Sequence, residues 1–335
     1  MERYVAVDNI CAWPNLTRLR DGAIVAAVFN QPCHGLWEGD VECWASNDGG
    51  RTWRWRGTPA FHEPGTNRMN VAAGLNAAGD LVVLASGWSH RPRRGAGIAT
   101  HTHEPPAHPL APWVCRSSDG GHTWAREGSV EVPKGESDEV IPFGDIVELR
   151  DGSLGACLYS RRSTQLHACS LYASEDDGRT WRLRGVIRNE NLNETAPLVL
   201  PFGDVLSCGR TREDQRLELF RSTDHGTSWR REALVSGASQ HPGHLMLLSD
   251  GRVLLTYGDR RDGHHGVEVR LGDSDGRYWG APRRVVSLEP GDLGYPATVR
   301  GDDGSLVTAW YSAGVHAHQR YHMGVAIWTI DELFA

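Results

Sequence analysis

The sequence predicts an all-β fold: a six-bladed β-propeller of four-stranded antiparallel blades, its ring closed by the N-terminal strand. Three observations carry that expectation. The 335 residues include 39 Gly, 17 Pro and 13 Trp against only 4 Met, with few stretches of helical period. The segments "SNDGGRTW" (46–53), "SSDGGHTW" (117–124), "SEDDGRTW" (174–181) and "STDHGTSW" (222–229) share S-x-D-x-G-x-T-W, with Ser228 replacing the threonine; "GDSDGRYW" (272–279) is a degenerate fifth copy. Upstream of each box lies a further pair of strand patterns around an Asp-Gly or Gly-Asp turn, which makes six units. A four-stranded meander repeated six times closes radially and leaves only short sheet edges.

Each element has a local reason. In the box, an Asp side chain bonds backbone N–H groups of a tight turn, Gly takes a positive φ, and Trp anchors the next strand. Alternating runs precede it, as in "VECWAS" and "LELFRS", and follow it, as in "TWRWRG", so the box joins a third strand to a fourth. The units span roughly 12–58, 67–131, 139–188, 194–236, 241–287 and 294–330. The last offers "YHMGVAIW" as a third strand but no box, and "RYVAV" at 3–7 is expected to supply its fourth strand. One domain, 1–335, accounts for the length, with no linker visible.

The meander sorts the loops. Turns after strands one and three share one face, where the short uniform boxes read as structural; the longer, more polar connections share the other. These connections hold 12 of the 16 histidines, together with Arg68, Arg161, Arg162, Arg210, Arg212, Arg216, Arg260, Arg261 and Arg320 at or near them. A cationic face on a chain of net charge -7 favours a small anionic ligand over a polyanion. The starts of the innermost strands, Ala12, Trp13, Arg68, Asn70, Glu139, Glu194, His241 and Tyr295, should converge on a central pocket.

Box sequence, unit count and strand pattern resemble the sialidase (neuraminidase) superfamily of Asp-box proteins over nearly the whole chain. The resemblance implies a tyrosine nucleophile activated by a glutamate, an aspartate acid/base, and three arginines gripping a substrate carboxylate. Tyr295 in "GDLGYPATV" stands at the nucleophile's place, although Pro296 replaces the family's serine. Glu194 in "NETAPLVLPFGDVL" matches the activating glutamate, Arg210 the second arginine, and Arg260 or Arg261 in "YGDRRDGHHG" the third. The first arginine's place reads "CAWP", with Ala12, and "HGLWEGDVECW" offers Glu38 or Asp40, with Asp40 preferred, as acid/base. What the resemblance implies is a retaining exo-glycosidase for a terminal, acidic sugar, with Arg210 and Arg260 as substrate contacts; Arg68 and His241, at the starts of innermost strands, are expected to join them.

The chemistry also follows from the residue types. A phenol of ordinary pKa ~10 attacks only if a base takes its proton, and being neutral it does not repel an anionic sugar. Two other function classes use the same pocket. A polysaccharide lyase would employ His241 or another histidine with a tyrosine; a non-catalytic carbohydrate-binding propeller would recognise a sugar without an acid/base.

Other classes are disfavoured. With 42 acidic against 35 basic residues, nucleic-acid binding is not expected, and no run of eighteen apolar residues suggests a membrane partner. The start "MERYVAVDNI" lacks the pattern of a secretory leader, which points to the cytoplasm. Seven cysteines without C-x-x-C fit neither a disulfide framework nor a zinc ribbon. The histidines of "THTHEPPAHP" and "DGHHG" match no metal spacing, so neither metal nor cofactor is expected.

Overall fold

Strand β1 (Glu2–Asp8) lies apart from the strands that follow it and pairs at the far end of the chain. The structure, a computed structural model, describes residues 1–32, 34, 38–89, 108–132, 140–161, 167–314 and 320–335; the side chains of Cys11, Ala12 and Arg161 fall outside that description. Strands β2 (Cys11–Arg18), β3 (Ile24–Phe29), β4 (Val41–Ser46) and β5 (Arg54–Ala60) form the first four-stranded antiparallel sheet.

The next nine strands form one sheet rather than two. They are β6 (Asn70–Leu75), β7 (Leu81–Ser89), β8 (His108–Ser117), β9 (Ala125–Arg126), β10 (Ser129–Val130), β11 (Val140–Glu148), β12 (Leu154–Arg161), β13 (His167–Ser174) and β14 (Thr180–Arg188). Their order is β10-β14-β13-β12-β11-β6-β7-β8-β9. Three more sheets follow. One is β15 (Leu192–Val199) to β16 (Val205–Thr211), β17 (Leu217–Ser222) and β18 (Arg230–Leu234). Another is β19 (Gln240–Leu247), β20 (Val253–Asp259), β21 (Gly266–Gly272) and β22 (Arg283–Ser287). The last is β23 (Leu293–Arg300), β24 (Leu306–Ser312) and β25 (His322–Trp328) with β1 on its outer edge, and helix α1 (Ile330–Phe334) ends the chain.

This corrects the expectation of six separate four-stranded blades. Among the described residues the arrangement is all-β and propeller-like, with four four-stranded sheets and a curled nine-stranded sheet. The cause lies in glycines. Parallel pairing of β6 with β11 sets Gly144 against Ala72 and Asp145 against Ala73. A Cβ on Gly74 would meet the Ile146 carbonyl at 2.3 Å, so only a residue without one lets the two backbones bond. At the other end, the fourth strand expected near 125–131 splits. Residues 125–126 pair with β8, while 129–130 cross to run parallel to β14. Gly128, at φ 104, permits the crossing, because a Cβ there would lie 1.9 Å from the Arg179 carbonyl.

The boxes fold as one repeated turn. Asp48 accepts from Ser46 Oγ (2.7 Å), Arg51 N (3.0 Å), Thr52 N (2.8 Å) and Thr52 Oγ1 (2.6 Å), and Trp53 Nε1 donates to the Gly50 carbonyl at 3.0 Å. In the fifth copy Asp273, one place earlier, takes over and accepts from Arg277 N at 2.7 Å. Apolar clusters tie the sheets together. One joins β2, β3, β23, β24 and β25 through Leu16, Ile24, Ala297, Val307 and Val325; another joins β16 and β17 to β20 through Leu206, Leu219 and Leu255.

Candidate active site

Tyr295 is the third residue of β23, and its backbone is unusual. It holds φ 49, beside Gly294 at φ 103, where the β23–β24 register shifts between Gly294 and Ala297. The bulge turns the phenol inward, where it is 7% exposed and packed between Trp13 (ring centroids 5.4 Å), Phe143 (6.0 Å) and Tyr311 (5.5 Å). Its hydroxyl donates to Glu194 Oε1 at 2.5 Å, across a separation of 101 residues. Arg210 Nη1 bonds the other carboxylate oxygen at 2.7 Å and reaches the Tyr295 hydroxyl at 3.3 Å.

The sequence-predicted Tyr295, Glu194 and Arg210 therefore meet, and Arg260 joins them with its guanidinium 5.5 Å from the Tyr295 ring centre. Of the two arginine candidates in "DRRDG", Arg261 turns away to pair with Asp259 at 2.8 Å and is half exposed. Arg260 instead bonds Asp292 at 3.1 Å and Tyr311 Oη at 3.2 Å. Asp292 also accepts from Tyr311 Oη at 2.5 Å and Tyr321 Oη at 2.9 Å, and its other contact is the His34 ring. None of these four, Asp292, Tyr311, Tyr321 and His34, stood out in the sequence, although Asp292 lies three residues before the tyrosine.

The electrostatics follow from burial. Loss of water and the charge of Glu194 push the Tyr295 phenol well above its usual value, against the opposing pull of Arg210 and Arg260. For Arg210 burial disfavours the cation, but Glu194 and Tyr295 hold it firmly protonated. His241 is wholly buried, with Nε2 2.9 Å from Gln215 Oε1. Burial, aided by the charges of Arg210 and Arg260, lowers its pKa to about 2, so it is neutral and a weak proton acceptor, a poor fit to the base of a lyase.

Other expected residues stand elsewhere. Arg68, 2% exposed, lays its guanidinium 3.6 Å over Trp113 and donates to the Ala111 carbonyl at 3.0 Å. Asp40 accepts from the His62 backbone and meets the His62 ring, both at 2.7 Å, while Glu38 lies 3.3 Å from the other ring nitrogen. Among the described residues, no hydrogen bond joins Asp40 or Arg68 to the Tyr295 group. Ala12 lies in β2, with its side chain outside the described part; Glu139, Arg162 and residues 100–107 of the histidine-rich segment are likewise outside it. Among the described residues, no three His, Cys, Asp or Glu side chains are grouped to hold a metal, and no helix is long and apolar enough to cross a membrane.

A small cavity beside Tyr295 is lined by Trp13, Asn15, Asn70, Phe143, Gly144 and His244. His244 bonds Asp145 on β11 at 3.0 Å, and Asn15 donates to the Gly144 carbonyl at 2.8 Å. Four buried polar atoms of this region, Trp13 Nε1, Arg210 Nε, His241 Nδ1 and Arg260 Nε, have no hydrogen-bond partner among the described residues. Buried polar groups are ordinarily satisfied, and each that is not costs about 1–3 kcal/mol. A polar ligand would satisfy them.

The family described as BNR repeat-like domain matches residues 101–308, more than half of the chain. The chain belongs to the BNR repeat-like domain family. This agrees with the sialidase-type resemblance drawn from the boxes. No curated protein matches the sequence. Among solved structures, a protein of unknown function from Dyadobacter fermentans superposes with a TM-score of 0.81 at 22% identity, over 98% of each chain. A Hadza microbial sialidase gives 0.75 at 17% identity, over 99% of this chain and 69% of that one. A Trypanosoma rangeli sialidase in complex with sialic acid gives 0.72 at 15% identity, over 98% of this chain and 55% of that one. At these identities the likeness establishes a shared fold.

Proposed function

We propose that this BNR repeat-like protein is a retaining exo-glycoside hydrolase of sialidase type in which Tyr295 is the nucleophile and Glu194 its base. The observation that carries the reading is the buried hydrogen bond of 2.5 Å from Tyr295 Oη to Glu194 Oε1, with Arg210 on the second carboxylate oxygen. A tyrosine whose ionisation is pushed up stays protonated at neutral pH, so it must lose its proton as it attacks.

In the first step Tyr295 Oη bonds to the anomeric carbon as its proton passes to Glu194, and the bond to the leaving oxygen breaks. We assign the proton for that oxygen to Asp40, which His62 orients. In the second step Asp40 takes a proton from water, whose oxygen displaces the phenol, and Glu194 returns the phenol's proton. Net retention follows from two displacements. The fold shared with two structures described as sialidases supports this assignment.

The test is Tyr295→Phe, assayed on a panel of fluorogenic glycosides. The variant is expected to lose turnover while keeping its thermal stability and its binding of the released sugar. Undiminished turnover would remove Tyr295 as nucleophile.

A further inference from the structure

Beyond Tyr295 a chain of polar contacts, unused by the proposed reaction, crosses the space between the innermost strands. The small cavity beside the phenol is followed by a second one of about 440 Å³: on β2 residues 13–15 line the first and 16–18 the second, and on β23 the division falls between 297 and 298. His244, 5% exposed, lines both. Where the cavities meet, Asn15 Nδ2 of β2 donates to Asp145 Oδ1 of β11 at 3.3 Å, and Asp145 Oδ2 lies 3.0 Å from His244 Nε2 of β19. The Thr298 N–H of β23 donates to His244 Nδ1 at 3.4 Å. Strands of four different sheets are thus tied together.

The chain fixes the imidazole. A backbone N–H can only donate, so Nδ1 is the acceptor and the ring proton sits on Nε2, facing the carboxylate of Asp145. The donor's place matters as much. β23 is the edge strand of its sheet, and its ladder to β24 breaks after Gly294 and resumes with Ala297 and Thr298, opposite Ala309 and Thr308. Tyr295 stands inside that break at φ 49, a conformation that persists only where its neighbours hold it. Gly258 closes on Gly294 at one end of the break, and His244 holds Thr298 at the other.

We infer that His244, oriented by Asp145, is a positioning residue for Tyr295: by taking the Thr298 N–H it anchors β23 at the end of the bulge and so keeps the phenol on Glu194. The inference rests on the glycosidase reading for Tyr295 being a nucleophile. The placement of the phenol is tested separately from turnover.

Two variants separate the two ring nitrogens. His244→Asn puts an amide oxygen at the place of Nδ1, which keeps the acceptor for Thr298 and drops the contact with Asp145. His244→Gln carries its amide one bond further out, which keeps the contact with Asp145 and leaves Thr298 without an acceptor. In His244→Gln kcat is expected to fall about 10²-fold while KM changes by less than about threefold, and a crystal structure is expected to show the Tyr295 hydroxyl out of hydrogen-bond reach of Glu194. His244→Asn is expected to recover kcat to within about threefold of wild type and to keep the hydroxyl on Glu194, even where its Tm is no higher than that of His244→Gln. A merely structural role would make kcat follow Tm instead of the acceptor. Nitrogen NMR of the wild type, which needs no variant and so decides if His244→Gln does not fold, is expected to show Nε2 protonated and Nδ1 bare. A folded His244→Gln with Tyr295 still on Glu194, or a wild type with its proton on Nδ1, would overturn the inference. Absent wild-type turnover on every glycoside would count against the hydrolase reading alone, with the variant structures still deciding where the phenol is held.

Discussion

At the level of single residues, Tyr295 holds a conformation that costs something. A non-glycine residue at φ 49 is strained by about 1–3 kcal/mol, and such strain persists only where the surroundings fix it. Here the surroundings are three aromatic rings and the close approach of Gly258, whose Cα would lie 3.1 Å from a Cβ on Gly294. The result is a phenol aimed at a buried carboxylate. Glu194→Gln removes the proton acceptor while keeping an oxygen for Arg210. We expect kcat to fall by about 10²–10⁴ with little change in the melting temperature. Glu194→Ala should add a stability loss of about 3 kcal/mol, because it leaves Arg210 as an unpaired buried cation. Denaturant melts and steady-state kinetics on both variants separate the two effects. The meeting of Tyr295, Glu194, Arg210 and Arg260 was legible because each stands at the start or end of a strand whose place in the repeat could be counted. The Asp292, Tyr311 and His34 contacts were not, since they depend on side-chain reach across loops with no repeating signal. Nor was the stacking of Arg68 on Trp113, whose flat face lies 3.6 Å beneath its guanidinium.

Among the elements, the Asp-box turn is the most legible and the most uniform. Asp176 accepts from Ser174 Oγ (2.8 Å), Arg179 N (3.1 Å), Thr180 N (2.7 Å) and Thr180 Oγ1 (2.6 Å). Its slight burial opposes ionisation, but these bonds outweigh that and lower its pKa from 3.8 to about 2. A carboxylate lowered on folding contributes stability that is complete above about pH 4 and is lost as pH falls toward about 2. Asp48 and Asp224 behave alike, so the boxes should share an acid-labile component. Asp176→Asn is expected to destabilise by about 1 kcal/mol near neutrality, and the gap from wild type should narrow as pH falls through that window. A gap independent of pH would mean that the carboxylate charge is not what the turn uses. The same repeat hid the fused sheet. Counting boxes cannot reveal that Gly74 and Gly144 let two innermost strands bond, because the pairing depends on backbone approach between units that look alike in sequence.

For the whole molecule, the sheets are linked around a ring whose last link is β1. Only Val7 of this strand is buried, yet β1 covers the edge of β25, all seven residues of which are buried. Its register runs from Glu2 opposite Ile327 to Asp8 opposite His322. Arg3 Nε also donates to the Val285 carbonyl of β22 at 2.6 Å, and the Tyr4 hydroxyl reaches the Gly50 carbonyl in the first box. β1 thus touches the sheets on both sides of the closure, and its contribution lies in backbone pairing and cross-links rather than in apolar area. Deleting residues 1–8 would leave the β25 ladder as a long apolar edge, the kind that recruits another chain. We propose that the sheets unfold as one unit. On that basis the deletion should lower Tm by about 5 °C or more across a single transition and produce concentration-dependent association in light scattering. A truncated chain that stays monomeric with an unchanged Tm would show that the ring does not depend on this strand. Two separated transitions in the intact protein would show that the nine-stranded sheet folds apart from the rest.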